Sequence, residues 1–218
     1  MLTEEEILLS QADGADWLRA SDAGVFAAAR VIARRLDRAR EDFNDGAIDN
    51  TELTQVEYLR IHLVACLNSL GFTPETNKEI KALGTPVGEP FTFDPEAPFS
   101  LYQCVEDAID AMPWLTRYDR SLKNASLNYA ARIDYATDEF MNGLTHATQY
   151  KAALFLVPHL HKVLTRLGGT PESRMKITGN SDGAKITPMD ELRKKRLERQ
   201  KKHPPKLQAA EMRAYKRG

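Results

Sequence analysis

Two groups of basic residues have the chemistry and the spacing needed to bind phosphate. Arg30, Arg34 and Arg38 recur every four residues, which places them along one side of a helix. The second group is a run near the carboxyl end, formed by Arg193, Lys194, Lys195, Arg196, Arg199, Lys201 and Lys202. Both groups are candidate contacts for DNA or for an acidic partner. The alternative is that each is a solvated helix face, the first one balanced by nearby acids.

The charge of the chain is unevenly distributed. The 218 residues contain 30 Lys/Arg and 31 Asp/Glu, for a net charge of −1. Residues 191–218 alone hold 11 basic and 3 acidic residues, which leaves 19 basic and 28 acidic residues in the rest of the chain. The pattern predicts an acidic body with a basic tail.

No arrangement typical of catalysis or metal binding is present in the sequence. It contains no phosphate-binding glycine loop, no CxxC and no HExxH motif. His159 and His161 are two residues apart on a predicted helix and therefore point to different faces. Cys66 and Cys104 are expected to be buried thiols in a reducing compartment. We expect no catalytic residue, no metal and no cofactor.

An internal repeat organises the chain. The segment LNSLGFTPET at Leu67–Thr76 returns 97 residues later as LTRLGGTPES at Leu164–Ser173. Residues 17–76 and 114–173 share 20 identities over 60 positions without a gap. This similarity predicts a tandem duplication of one structural unit.

The predicted fold is all-α, with two repeated helical-hairpin units. The units cover residues 1–83 and 100–177, a Pro/Gly linker covers 84–99, and a linker with a basic helical tail covers 178–218. Within each unit, apolar residues spaced by four and three predict one long amphipathic helix that begins after Asp22 in the first unit.

Short signals predict where the helices begin and end. Thr3 with Glu6, and Thr54 with Glu57, have the spacing of capping boxes, and the second predicts a single helix from about Thr54 to Leu70. Gly71 and its counterpart Gly168 are each followed by Thr-Pro, which predicts a helix end, a tight turn and a new helix.

The second unit has apolar residues where the first has its arginine stripe. Leu127, Ala131 and Tyr135 stand 97 residues after Arg30, Arg34 and Arg38. A helix that is apolar on two sides is expected to be buried on both. These three residues are therefore predicted to contact the first unit or a neighbouring subunit.

Three motifs resemble those of the small terminase subunits of tailed phages, especially actinobacterial phages. They are Asp16-Trp17-Leu18 followed by Ser21-Asp22, the turn from Leu167 to Arg174, and Met189 to Arg193 before the basic tail. The chain departs from that pattern in its duplication, and Asn77 occupies the first-unit position that corresponds to Arg174.

The resemblance implies a non-enzymatic, ring-forming subunit of a DNA-packaging motor. It implies three partners, namely double-stranded viral DNA, the large ATPase–nuclease subunit and further copies of the same chain. It also implies a location in the cytoplasm of the infected host cell. The sequence lacks an apolar run long enough to span a membrane.

Other functions are compatible with the sequence. A duplicated helix-turn-helix transcriptional regulator would require an exposed helix that carries Arg, Asn or Gln toward the major groove. The remaining alternatives are an enzyme whose site forms only between subunits and a scaffold that never contacts DNA.

Overall fold

The chain folds into α-helices. The structure, a computed structural model, describes residues 2–82, 88–95, 98–145 and 147–178. Within these ranges there are ten α-helices and no strand: α1 Glu4–Asp13, α2 Ala23–Asn44, α3 Asn50–Glu57, α4 Leu59–Leu70, α5 Pro74–Ala82, α6 Leu101–Asp110, α7 Arg120–Met141, α8 Ala147–Leu154, α9 Val157–Leu167 and α10 Pro171–Thr178. The all-α prediction is confirmed. None of the described helices is both long enough and apolar enough to cross a membrane.

The helices of the two halves recur at the same spacing as the sequence repeat. Helices α6, α7 and α8 each begin 97 residues after α1, α2 and α3. An equivalent hydrogen bond joins a tryptophan to the end of a helix in each half. The indole Nε1 of Trp17 donates to the Leu70 carbonyl at 2.8 Å, and that of Trp114 donates to the Leu167 carbonyl at 2.7 Å. The two halves therefore share one local architecture.

Several predicted helix boundaries are confirmed by their capping geometry. The Thr3 hydroxyl accepts from the Glu6 amide at 3.1 Å, and the Glu6 carboxylate accepts from the Thr3 amide at 2.8 Å. Gly71 and Gly168 have φ values of +80° and +98°, in the left-handed region that favours glycine. These glycines end α4 and α9, and the Thr-Pro that follows each one begins the next helix.

The prediction of a single helix from Thr54 to Leu70 is wrong. Two helices, α3 and α4, cover this segment, and Asp49 caps the first of them by accepting from the Glu52 amide at 2.8 Å. Asp49 and Glu52 have the same capping-box spacing as Thr54 and Glu57, and they occur earlier in the chain. Thr54 lies inside α3, where its hydroxyl donates to the Asn50 carbonyl.

Helix α2 lies at the centre of the molecule and contacts elements of both halves. A single hydrophobic core contains buried residues from both halves of the chain. Small residues on α2 allow α6 and α9 to approach closely: a Cβ added to Gly24 would lie 3.1 Å from Leu164 and 3.4 Å from Val105. The two halves consequently pack as one body rather than as separate cores.

The segment between the halves packs onto α2. The rings of Phe91 and Phe93 lie 5.1 and 5.3 Å from the ring of Phe26. The backbone of Phe91 donates to the Leu18 carbonyl at 3.2 Å. This part of the predicted linker therefore covers one side of the central helix.

Candidate nucleic-acid interface

Arg30 does not lie on an exposed stripe. Its side chain is 4% exposed, and its Nε donates to the Glu5 carboxylate at 2.5 Å. The guanidinium also lies over the rings of Phe93 and Phe99, each 4.9 Å from the ring centroid. Glu5 comes from α1 and the two phenylalanines from the connecting segment. Arg30 is thus used to join three parts of the chain.

Arg34 and Arg38 are more accessible but also have acidic partners. The Nε of Arg34 donates to the same Glu5 carboxylate at 2.7 Å. Arg38 is 58% exposed and pairs with Asp42 at 2.9 Å. The three arginines are on the same helix, as the spacing predicts, but two of them neutralise Glu5 within the chain. The positive potential available to an external phosphate is accordingly reduced.

Helix α7 presents a polar, basic face that has no counterpart on α2. Its first four turns and the preceding 3₁₀ turn, Arg117–Asp119, bear exposed side chains at helical spacing: Arg117, Arg120, Ser121, Asn124, Asn128 and Arg132. The equivalent stretch of α2 is buried by α6 and α9. The same helix position is therefore used for packing in one half and is open in the other.

The electrostatics of this α7 face are positive. Asp119 is the one acidic residue between 117 and 132, and its carboxylate accepts from the Thr116 amide at 2.8 Å and the Thr116 hydroxyl at 3.0 Å. The next acid, Asp134, accepts from the amides of Leu101 and Tyr102 at the start of α6. Since α7 begins at Arg120, its amino-terminal partial charge adds to the arginine charges.

This α7 face was not among the predicted DNA contacts. A signal for it exists in the sequence. The polar residues Ser121, Asn124 and Asn128 are spaced by three and four positions, which places them on one side of a helix. Asn and Arg are side chains that read base edges in the major groove. The spacing of the arginines on α2 gave the stronger pattern, but it did not reveal which helix would be covered.

The three α7 residues predicted to lie at an interface, Leu127, Ala131 and Tyr135, differ in their exposure. Leu127 is half-buried and packs against the core of its own chain. Ala131 and Tyr135 are exposed, Tyr135 by 64%. Among the described residues, Tyr135 therefore stays accessible to a contact with a further segment or molecule.

A buried ion pair joins the end of the second half to the start of the first. The Nη1 of Arg174 donates to the Asp22 carboxylate at 2.5 Å and to the Ser21 hydroxyl at 3.0 Å, and both charged side chains are 0% exposed. Burial raises the pKa of the Asp22 carboxyl, while the Arg174 charge opposes that rise. In the first half, Asn77 occupies the corresponding position and donates to the Gly71 carbonyl at 3.2 Å. Arg174 thus has a role that its counterpart lacks.

His161 and the cysteines are packed rather than assembled into a reactive centre. The His161 Nε2 lies 2.9 Å from the Ser69 hydroxyl, in a contact between the two halves, and burial lowers the pKa of this histidine. Burial also raises the pKa of the Cys66 thiol to about 12. In the described part of the chain, no group of three or more His, Cys, Asp or Glu residues could hold a metal ion.

The predicted basic run from Arg193 to Lys202 lies outside the described residues. Its seven cations were predicted as DNA or partner contacts, and that remains a prediction. The described molecule therefore contributes the α2 arginines and the α7 face to the set of candidate contacts.

Comparison with known families identifies what kind of protein this is. A family model described as terminase small subunit matches residues 8–95 and 104–202, which is most of the chain. The second match extends to the end of the basic run. No curated protein and no solved structure gives a significant match. The chain belongs to the terminase small subunit family, which supports a role in packaging phage DNA.

Proposed function

We propose that this chain is the non-catalytic, DNA-binding small subunit of a phage packaging motor. In this role it forms a ring, binds double-stranded viral DNA in the infected cell and regulates the large ATPase–nuclease subunit. Membership of the terminase small subunit family supports the packaging role. The exposed basic face of α7 is the observation that supports DNA binding most directly.

The α7 face, defined as the exposed residues between 117 and 132, has the composition of a DNA contact. Arg117, Arg120 and Arg132 would neutralise phosphates, and Asn124 and Asn128 offer paired donors and acceptors for base edges. A single α-helix fits the major groove. The exposed face of this 22-residue helix could therefore lie in a groove while its arginines contact the flanking strands.

The α2 stripe and the tail contribute in different ways. Arg30 is buried beneath its partners, so we assign it to holding α1 and the connecting segment on α2. Arg34 and Arg38 could support a phosphate at the side of the molecule. The predicted basic tail would supply non-specific affinity that depends strongly on salt.

The test of DNA binding is the salt dependence of the dissociation constant, measured on the full chain with linear duplex DNA. The logarithm of the binding constant falls linearly with the logarithm of the salt concentration, by about 0.9 for each phosphate contact. The double variant Arg120→Ala with Arg132→Ala should therefore reduce the magnitude of this slope by about 1.8. The matched control is Lys162→Ala with Arg166→Ala, which removes two exposed cations from α9. Equal slopes for the two double variants would exclude the α7 face.

A companion variant that lacks residues 191–218 measures the contribution of the tail. If the tail contacts DNA, its removal should make the salt dependence less steep by a larger amount, because the eleven Lys and Arg residues of 191–218 are lost together. A footprint confined to one short palindrome would instead support a transcriptional regulator.

Assembly into a ring is supported by large apolar side chains that remain exposed in both halves of the chain. At the start of α4, its N-cap Tyr58 and Ile61 are 65% and 66% exposed. At the far end of α7, Tyr135, Met141 and Leu144 are 64%, 68% and 74% exposed. Contacts between two different surfaces repeat from one copy to the next and close into a ring when the rotation permits.

Native mass spectrometry of the full chain tests this assembly. We expect a closed ring of several copies, and Ile61→Ser with Met141→Ser should shift the population toward monomers. Lys162→Ser, an exposed change on α9, is the control and should leave the mass unchanged. A monomer or dimer of the unaltered chain would refute the ring.

A further inference from the structure

A cavity of about 450 Å³ lies between α2 and α7, and Ser100 at the start of α6 also lines it. One wall carries Arg34, Arg35 and Arg38 from successive turns of α2. The opposite wall belongs to α7. The cavity is lined further by aromatic rings from three segments: Phe99, Phe140 and Tyr150. This volume is within the range of sites that hold small organic ligands.

Arg35 lines the cavity and has a buried hydrogen-bond donor without an acceptor among the described residues. It is 7% exposed, and its Nη1 makes no hydrogen bond to any described residue. The nearest carboxylate oxygen, on Asp42, is 3.7 Å away. The guanidinium otherwise faces the rings of Phe140 and Tyr150, with centroids at 5.5 and 5.7 Å. A buried cation with an unused donor is costly unless an anion accepts from it.

The acids around the cavity are largely engaged elsewhere. Asp134 accepts from two backbone amides at the start of α6 and from the Ser100 hydroxyl at 3.0 Å. Asp138 is exposed at the rim. Glu5 and Asp42 pair with Arg34 and Arg38. Burial lowers the pKa of Arg35, which reflects incomplete compensation of its charge.

We propose that this cavity binds a small organic phosphate, with Arg35 as the principal phosphate contact and the aromatic rings holding a flat apolar portion such as a base. Arginine suits this task because its planar fork donates two parallel hydrogen bonds to phosphate oxygens. Arg34 and Arg38 flank Arg35 on the same wall, where a phosphate would share their charges with Glu5 and Asp42. The site is separate from the α7 face and does not depend on DNA binding.

Isothermal calorimetry on the full chain tests the proposal, with three probes: adenosine monophosphate, inorganic phosphate and adenosine. The nucleotide should bind most tightly, inorganic phosphate more weakly, and adenosine should give no measurable heat. Arg35→Met should weaken nucleotide binding by about tenfold or more, because it removes a charge-assisted donor pair. The control is Arg40→Met, which removes an arginine of the same helix that does not line the cavity.

A second variant keeps the test decisive if Arg35→Met does not fold. Arg38→Gln changes a side chain that is 58% exposed and should weaken binding several-fold in a folded protein. Nucleotide affinity that is unchanged in both variants would overturn the proposal, as would the absence of binding by the unaltered chain. Equal affinity for inorganic phosphate and the nucleotide would overturn the role of the aromatic rings.

Discussion

Replacing Arg174 with Met is expected to destabilise the protein more than any exposed substitution. The change removes the positive partner of Asp22 and leaves a carboxylate that is 0% exposed. Loss of one member of a buried ion pair costs about 3–5 kcal/mol, because the remaining charge is neither solvated nor paired. Met matches the length of the Arg stem, so the cost reflects the charge more than lost volume.

The charge explanation is separated from a packing explanation by a double variant. Asp22→Asn removes the negative charge while retaining an oxygen that can accept from the Arg19 amide, now bonded at 2.9 Å. The combination of Arg174→Met with Asp22→Asn should therefore recover about 2 kcal/mol of the loss. Asn77→Ala, at the matching position of the first half, should cost about 0.5–1.5 kcal/mol, the value of an ordinary hydrogen bond.

Urea denaturation followed by far-UV circular dichroism measures these free energies of unfolding. The midpoints of the five proteins, namely the unaltered chain, the three single variants and the double variant, can be compared directly when their denaturant slopes agree. A cost below about 1 kcal/mol for Arg174→Met, or strictly additive costs in the double variant, would refute the argument from an uncompensated buried charge.

Three further predictions concern individual side chains. Gly168→Ala should lower the free energy of unfolding in urea by more than about 1 kcal/mol, because φ is +98° and the new Cβ would lie 2.9 Å from Trp114. The control, Gly14→Ala, places its Cβ in open space and should be neutral or slightly stabilising. Because burial lowers the pKa of His161 below 6.5, the unfolded chain binds its proton first, so the free energy of unfolding should fall as the pH drops below about 6.5. A flatter pH dependence in His161→Gln would support this, and an identical one would contradict it. In Cys104→Ser the remaining thiol, with a pKa of about 12, should resist a thiol-specific reagent at pH 8 until urea is added; rapid labelling of the folded protein would show that Cys66 is accessible.

Local features were predictable from sequence because their physical causes are local. The Thr3 capping box and the left-handed glycines at 71 and 168 depend on residues within one helical turn, and the structure contains each of them. The start of α3 was missed because two capping boxes compete within a few residues, and the sequence does not rank them.

The candidate site was less predictable because burial depends on long-range packing. The spacing of Arg30, Arg34 and Arg38 shows that they share a helix side, but Glu5 and Phe99, which cover Arg30, are distant in sequence. The polar face of α7 has a weaker pattern, and it is prominent only because nothing in the described molecule packs over it. Helix position follows from periodicity, whereas accessibility follows from the tertiary fold.

The Arg174–Asp22 pair also constrains the order of folding during synthesis. Its two residues are 152 positions apart, so at about 5–20 residues per second the partner of Asp22 is made roughly 8–30 s later. Helix α2 is synthesised long before α6 and α9, which bury it. Until then a nascent first half lacks the α6 and α9 contacts of its central helix and the charged partner of Asp22. We therefore expect the burial of α2 and Asp22 to be completed only after the second half has been synthesised.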